Sequence, residues 1–162
     1  MKKFRFDGER VEVTSTKTFS ETIAAFEHRI PMADSSAFAR LVAADANTRE
    51  IEDVVDGMVG DLGFLILAKL DQGPLVSLMG KKKKMTVYLI GNPVLANRMF
   101  ERNPAIGVYA PLRVSVYEGP DGKTRVTYDR PSTLLEQFGD EDVKSVARML
   151  DENMSRLTKD LI

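Results

Sequence analysis

The chain has 162 residues, 43% hydrophobic and 29% charged, with a formal net charge of −1. That length suits one domain over residues 1–162, burying about 70% of its unfolded surface without disulfide or metal staples. The balanced charge offers no field for nucleic acid, and the absence of cysteine excludes thiol catalysis, disulfides, iron–sulfur clusters and thiolate zinc sites.

In chain order, Met1 to Phe6 is basic but meets Asp7, Glu9 and Arg10 before any apolar stretch. No signal-peptide core forms there, so cytoplasmic residence is expected. Val11 to Ser15 alternates at period two and predicts a first strand. Thr18-Phe19-Ser20-Glu21 is a capping box, and the helix it opens carries a stripe of Phe19, Ile23, Phe26 and Ile30, with Pro31 just past its end. Ser35 to Ala44 predicts a short helix around Phe38, Leu41 and Val42. Asn47-Thr48-Arg49-Glu50 caps another, striped by Ile51, Val54, Val55, Met58 and Leu62. Gly57 and Gly60 each cost about 1 kcal/mol against Ala in a helix interior, so this helix is expected to fray near Gly57 or to be packed closely there.

Phe64 to Leu70 is apolar at nearly every position, which predicts a central strand or one covered on both faces. Its apolar run is far short of the ~20 residues a membrane-spanning helix needs. Asp71-Gln72-Gly73-Pro74 closes it, the run Lys81 to Lys84 follows, and Thr86 to Ile90 predicts a second strong strand. Asn92 then caps a helix with Pro93 at its first position, Val94, Leu95, Met99 and Phe100 on one face, and Arg98, Glu101 and Arg102 on the other. Leu112–Tyr117 and Lys123–Tyr128 form a hairpin through Pro120-Asp121-Gly122. A last helix begins at Asp140, and its residues Val143, Ala147, Leu150, Met154, Leu157 and Leu161 repeat at fours and threes, a coiled-coil-like stripe suited to a dimer seam. The pattern predicts an α+β fold: a mixed or antiparallel sheet of about five strands, helices mainly on one face, and an amphipathic C-terminal helix.

Three phrases stand out: Leu89-Ile90-Gly91-Asn92-Pro93; Arg102-Asn103-Pro104-Ala105-Ile106-Gly107 leading to Pro111-Leu112-Arg113-Val114; and Val126-Thr127-Tyr128-Asp129-Arg130-Pro131. Together they resemble the signature of domain of unknown function family 302. The resemblance runs from about Val11 to Leu161 and is most specific from Gly63 to Pro131. It implies that Gly63-Phe64 and Leu67 to Asp71 form the family's first core strand, and that Ile90 to Pro93 is its strand-to-helix turn. The common short form passes almost directly from its first helix to the Gly-Phe strand, so residues 31–62 are read as a helical insertion of a longer subgroup. The family implies a homodimer and names no reaction.

No Gly-x-Ser-x-Gly turn, P-loop, His-Glu-x-x-His or Gly-x-Gly-x-x-Gly occurs. His28 is the only histidine and falls beside a helix stripe. Glu50, Glu52, Asp53, Asp56 and Asp61 spread around a helix as a solvated face, so no metal site and no cofactor are expected. Lys81 to Lys84 reads as a solvated loop guarding a sheet edge, with a phosphate grip as the lesser reading. The turn at Asn92 is the stronger candidate, because helix N-termini present free amides and Arg98, Arg113 and Arg130 lie near the three phrases. The candidate ligand-binding set is Asn92, Arg98, Arg113, Tyr128, Asp129 and Arg130. The favoured reading is a non-enzymatic homodimeric module that binds a small anionic or apolar ligand or serves as an interaction scaffold, with no nucleic-acid partner. No strongly basic amphipathic helix suggests a membrane partner. The alternative is an enzyme on a small anionic metabolite, with Arg98 or Arg113 holding charge and Tyr128, Asp129 or Glu118 moving protons, which requires these groups to converge in one concave site.

Overall fold

A computed structural model describes residues 1–162. Five strands, β1 (Arg10–Thr14), β2 (Leu65–Asp71), β3 (Met85–Gly91), β4 (Leu112–Glu118) and β5 (Thr124–Asp129), form one sheet in the order β1-β5-β4-β3-β2. Every neighbouring pair is antiparallel. Period-two patterning decides which side is covered. Thr86, Tyr88 and Ile90 of β3, Val114 and Val116 of β4, and Thr124, Val126 and Tyr128 of β5 are buried, while the residues between them are half-buried or exposed. One face therefore carries the helices, and the other, with Val87, Leu89, Arg113, Ser115 and Thr127, is open.

The helices are α1 (Phe19–Arg29), α2 (Ser35–Ala43), α3 (Thr48–Met58), α4 (Gly73–Ser77), α5 (Pro93–Phe100), α6 (Pro131–Leu135) and α7 (Glu141–Leu161), with 3-10 turns at Pro104–Val108 and Glu136–Phe138. Local caps start them where the sequence predicts. Thr18 Oγ1 accepts from the Glu21 amide at 3.3 Å, and the Thr18 amide donates to Glu21 Oε2 at 2.9 Å. Asn47 and Glu50 repeat that box at α3, and Asp140 accepts from the Asp142 and Val143 amides at α7. Helix α3 stops at Met58, one residue past Gly57.

The stripe of α7 is spent inside the chain. Val143, Val146, Ala147, Leu150, Met154, Leu157 and Leu161 are each 5% exposed or less and join α1 and the sheet in one core. The heptad spacing thus serves a helix laid on a sheet, and the dimer seam expected of it is not available. Thr158 sits in the same buried face with its hydroxyl donating to the Met154 carbonyl, so its polar atom is satisfied. Ser15 ties the far end down by donating to the Leu161 carbonyl.

The second correction concerns Phe64 to Leu70. Its strand is β2, an edge strand rather than a central one, and only its first residues are buried. They are covered because residues 31–33 lie along them: Ile66 N donates to Pro31 O at 2.8 Å, and Ala33 N to Ile66 O at 2.9 Å. A bulge between Ile66 and Ala68 then shifts the register and leaves Leu67 outside the ladder. No helix is long and apolar enough to cross a membrane.

Leu157→Ala should cost about 2–5 kcal/mol in urea denaturation, the range for emptying a close-packed site. Met149→Ala, on the exposed side of the same helix, should change stability by no more than about 0.5 kcal/mol.

Candidate functional site

At the end of β3 the chain turns directly into α5, and Asn92 makes the turn. Its Oδ1 accepts from the amides of Val94 (2.9 Å) and Leu95 (3.3 Å), capping the helix that Pro93 begins. Its Nδ2 donates to the Gly63 carbonyl at 3.1 Å. Gly63 has φ +67°, a left-handed conformation natural to glycine, and this turn aims its carbonyl at Asn92. One side chain therefore fixes the start of α5, the end of β3 and the approach to β2.

Beside this turn lies a cavity of about 220 Å³, lined by 16 residues of which 12 are hydrophobic. Phe64 and Leu67 enter from β2 and the residue before it, Ile90 and Gly91 from β3, and Leu95, Ala96, Met99 and Phe100 from α5. Tyr109 and Pro111 come from the connection to β4, Leu112 from the start of β4, Leu135 from α6, and Leu150 from α7. No charged side chain lines it, and the amide of Asn92 is already engaged on both of its polar atoms. Leu67 reaches it through the bulge. Phe6 and Phe138 back its wall, each edge-on to Tyr109 at centroid distances of 5.8 and 6.1 Å.

The other candidate residues are not gathered here. Arg98 is exposed in a polar groove with Glu52, Asn97 and Glu101 between α3 and α5. Arg113 is exposed on the open sheet face, near Asp129, whose carboxylate accepts from Arg10 at 2.8 Å. Tyr128 points to the opposite, buried face, and burial pushes its hydroxyl's pKa up. Arg130 donates to Asp151 at 2.9 Å and to Glu9 at 3.2 Å. Glu118 holds Lys84 at 2.7 Å. Arg113, Tyr128 and Asp129 thus border one groove on the open sheet face, with the Tyr128 side chain turned to the buried side. Arg98 stands apart between α3 and α5 and Glu118 is paired with Lys84, so the full acid–base set does not converge in one site. His28 is exposed, and no group of three or more His, Asp or Glu is placed to hold a metal ion. Asp61 is instead drawn between Arg29 and Arg156, with the Arg29 hydrogen bond holding its carboxyl below the usual range.

One titratable cluster is invisible in the sequence. Tyr88 is buried, stacks on Phe26 at a centroid distance of 4.3 Å and donates to Glu27 at 2.6 Å, and Lys69 binds the same carboxylate at 2.6 Å. Burial, then Glu27, pushes the Tyr88 hydroxyl well above its ordinary range. For Glu27 burial works upward, but the hydrogen bonds from Lys69 and Tyr88 outweigh it and hold the carboxyl low. The cavity lining was equally hidden, since Leu95, Met99 and Phe100 read as an ordinary core stripe. The one local sign was an apolar run at Phe64 to Leu67 that does not alternate as a strand with one open face should.

A family profile described as domain of unknown function DUF302 matches residues 40–161. Among solved structures, the crystal structure of an uncharacterized conserved DUF302 protein from Bacillus stearothermophilus is similar with a TM-score of 0.66 at 17% identity, over 94% of this chain and 98% of that one. That likeness concerns the fold. No curated protein matches the chain.

Asn92→Asp keeps the helix cap but turns a donor into an acceptor facing the Gly63 carbonyl, and should cost about 1–3 kcal/mol by chemical denaturation. Glu27 should titrate below 4.5 in carboxyl NMR, and Lys69→Met should move it upward. Because the folded pKa is depressed, Glu27 contributes stability above pH 4.5 that is lost as pH falls through the folded value, so Lys69→Met should flatten that acid limb.

Proposed function

The chain belongs to the domain of unknown function family DUF302, and we propose that this member is a non-enzymatic module that binds a small, uncharged apolar molecule in the cavity beside Asn92. The observation that carries this reading is the lining. A cavity walled by Phe64, Leu95, Met99, Phe100 and Leu150, without a carboxylate, imidazole, lysine or arginine, rewards removal of hydrocarbon from water and offers nothing to a charge. An apolar cavity of about 150 Å³ is enough for benzene. The larger volume here suits a substituted single ring or a short hydrocarbon chain. Preorganisation supports the same reading, because the walls come from β2, β3, α5, α6 and α7, elements tied into one core. Of the two ligand chemistries expected, apolar and anionic, the cavity fits the first, since Arg113 and Arg98 stand on other surfaces.

Indole serves as a probe. At a hundred times its dissociation constant it should stabilise the fold by about 2.7 kcal/mol. For a chain of this length that is a rise in Tm of about 5–10 °C. Ala96→Leu, which projects into the cavity, should abolish the rise while leaving the protein folded, and Arg98→Ala and Arg113→Ala should leave it intact. Loss of the shift in the arginine variants, with Ala96→Leu unaffected, would refute the reading.

A further inference from the structure

The connection from β2 to β3 carries a surface that neither the core nor the cavity uses. Gln72 to Gly80 winds through α4 and one further tight turn, with Val76 N donating to Gln72 O, Met79 N to Val76 O and Gly80 N to Ser77 O. On this coil Leu75, Leu78 and Met79 fall at i, i+3 and i+4, the spacing of one helical face. That face stands in solvent, the three side chains being 69%, 84% and 78% exposed. Lys81 to Lys84 follow at once, all exposed. Lys84 is held by Glu118 at 2.7 Å, whereas Lys81, Lys82 and Lys83 have no carboxylate partner.

The stem beneath is built to hold this arrangement outward. A Cβ on Gly73 would lie 2.7 Å from the Lys83 carbonyl oxygen and 3.1 Å from the Met85 amide nitrogen, so only glycine lets the two legs of the connection touch. Ser77 clamps them, its hydroxyl donating to the Gly73 carbonyl at 2.6 Å and accepting from the Lys83 amide at 2.8 Å. The apolar face and the free lysines are therefore presented side by side by a closed hook.

We propose that this hook docks the protein on an anionic lipid surface, with Leu75, Leu78 and Met79 entering the apolar boundary and Lys81, Lys82 and Lys83 meeting the headgroup charges. Grouped exposed apolar side chains mark an interaction surface, and cations directly beside them select a partner that is apolar within and negative at its rim. A second copy of the chain fits worse, since joining two hooks through their leucines would bring the unpaired lysines of both together. The hook precedes β3 and the cavity follows it, so the two sites lie at opposite ends of that strand and the docking surface does not rest on the ligand reading.

Co-sedimentation of the full chain with phosphatidylcholine vesicles, with and without phosphatidylserine, tests the proposal. At low salt the protein should pellet with the phosphatidylserine vesicles only, and added salt should release it. Lys82→Ala should weaken partition about fivefold, the equivalent of about 1 kcal/mol for a basic residue near an anionic surface. Combined Lys81→Glu, Lys82→Glu and Lys83→Glu should abolish it, as should combined Leu78→Ser and Met79→Ser, with unchanged Tm in both because these side chains are exposed. Absence of binding at low salt overturns the proposal. So does binding that survives both combined variants, or that is lost only on changing Lys2, Lys3 and Arg5. A dimer in light scattering that Leu78→Ser and Met79→Ser dissolve, without vesicle binding, would assign the face to a second copy and overturn it as well.

Discussion

Asn92 bonds in three directions at once, and the far end of the sheet is organised around those bonds. Its oxygen caps α5 while its amide nitrogen holds the Gly63 carbonyl, so a single planar group sets the distance between β3, α5 and the entrance to β2. The half-buried donors and acceptors it satisfies would each be costly to leave unpaired. Because Asn92 takes the Val94 and Leu95 amides, its carbonyl takes that of Ala96 and Pro93 has none, the turn offers a ligand no free helix amide, although a strand running into a helix N-terminus is a common anion site. What the turn contributes instead is shape: it keeps Leu95, Ala96 and Met99 of α5 clear of Phe64 and Ile90, and the cavity is the space that remains.

The arginines follow the same economy. Arg130 is locked between Glu9 and Asp151, Arg29 between Asp61 and Asp160, and Arg125 beside Asp121 and Glu12, all at or near the surface. Such pairs fix loops and strand ends at little net gain in stability. The Arg125 hydrogen bond holds the Asp121 carboxyl down at about 2, so that pair persists through most of the acid range. Charge in this protein braces the exterior, and the interior space near the family phrases is left to hydrocarbon.

Features set within a few residues were legible in the sequence. The caps at Thr18, Asn47 and Asn92, the start of α7 at Asp140, the hairpin at Asp121-Gly122 and the stripes of α1 and α7 all depend on spacing alone. Features set by partners distant in the chain were not. The stripe of α7 suits a coiled coil or a sheet equally well, and only the sheet's position decides between them. The run Phe64 to Leu67 looks central because it is apolar, yet it is apolar for the cavity and for the segment at residues 31–33 that lies along it. Helices α4 and α6 span five residues each and begin at or beside a proline, too short for a periodic signal. One separation was within reach: Tyr128 and Asp129 are consecutive in a strand, so the pleat sends them to opposite faces, and no single site on the sheet could use both side chains.

Methyl-resolved NMR during an indole titration addresses binding at the Asn92 cavity most directly, because it reports where the probe sits. Saturable shifts confined to Leu67, Leu95, Met99, Leu112 and Leu150, all on the cavity wall, are the predicted result. Shifts confined to Val87 and Leu89 on the open sheet face or to Ile51 and Val94 in the Arg98 groove, or no saturable shift at all, would contradict it.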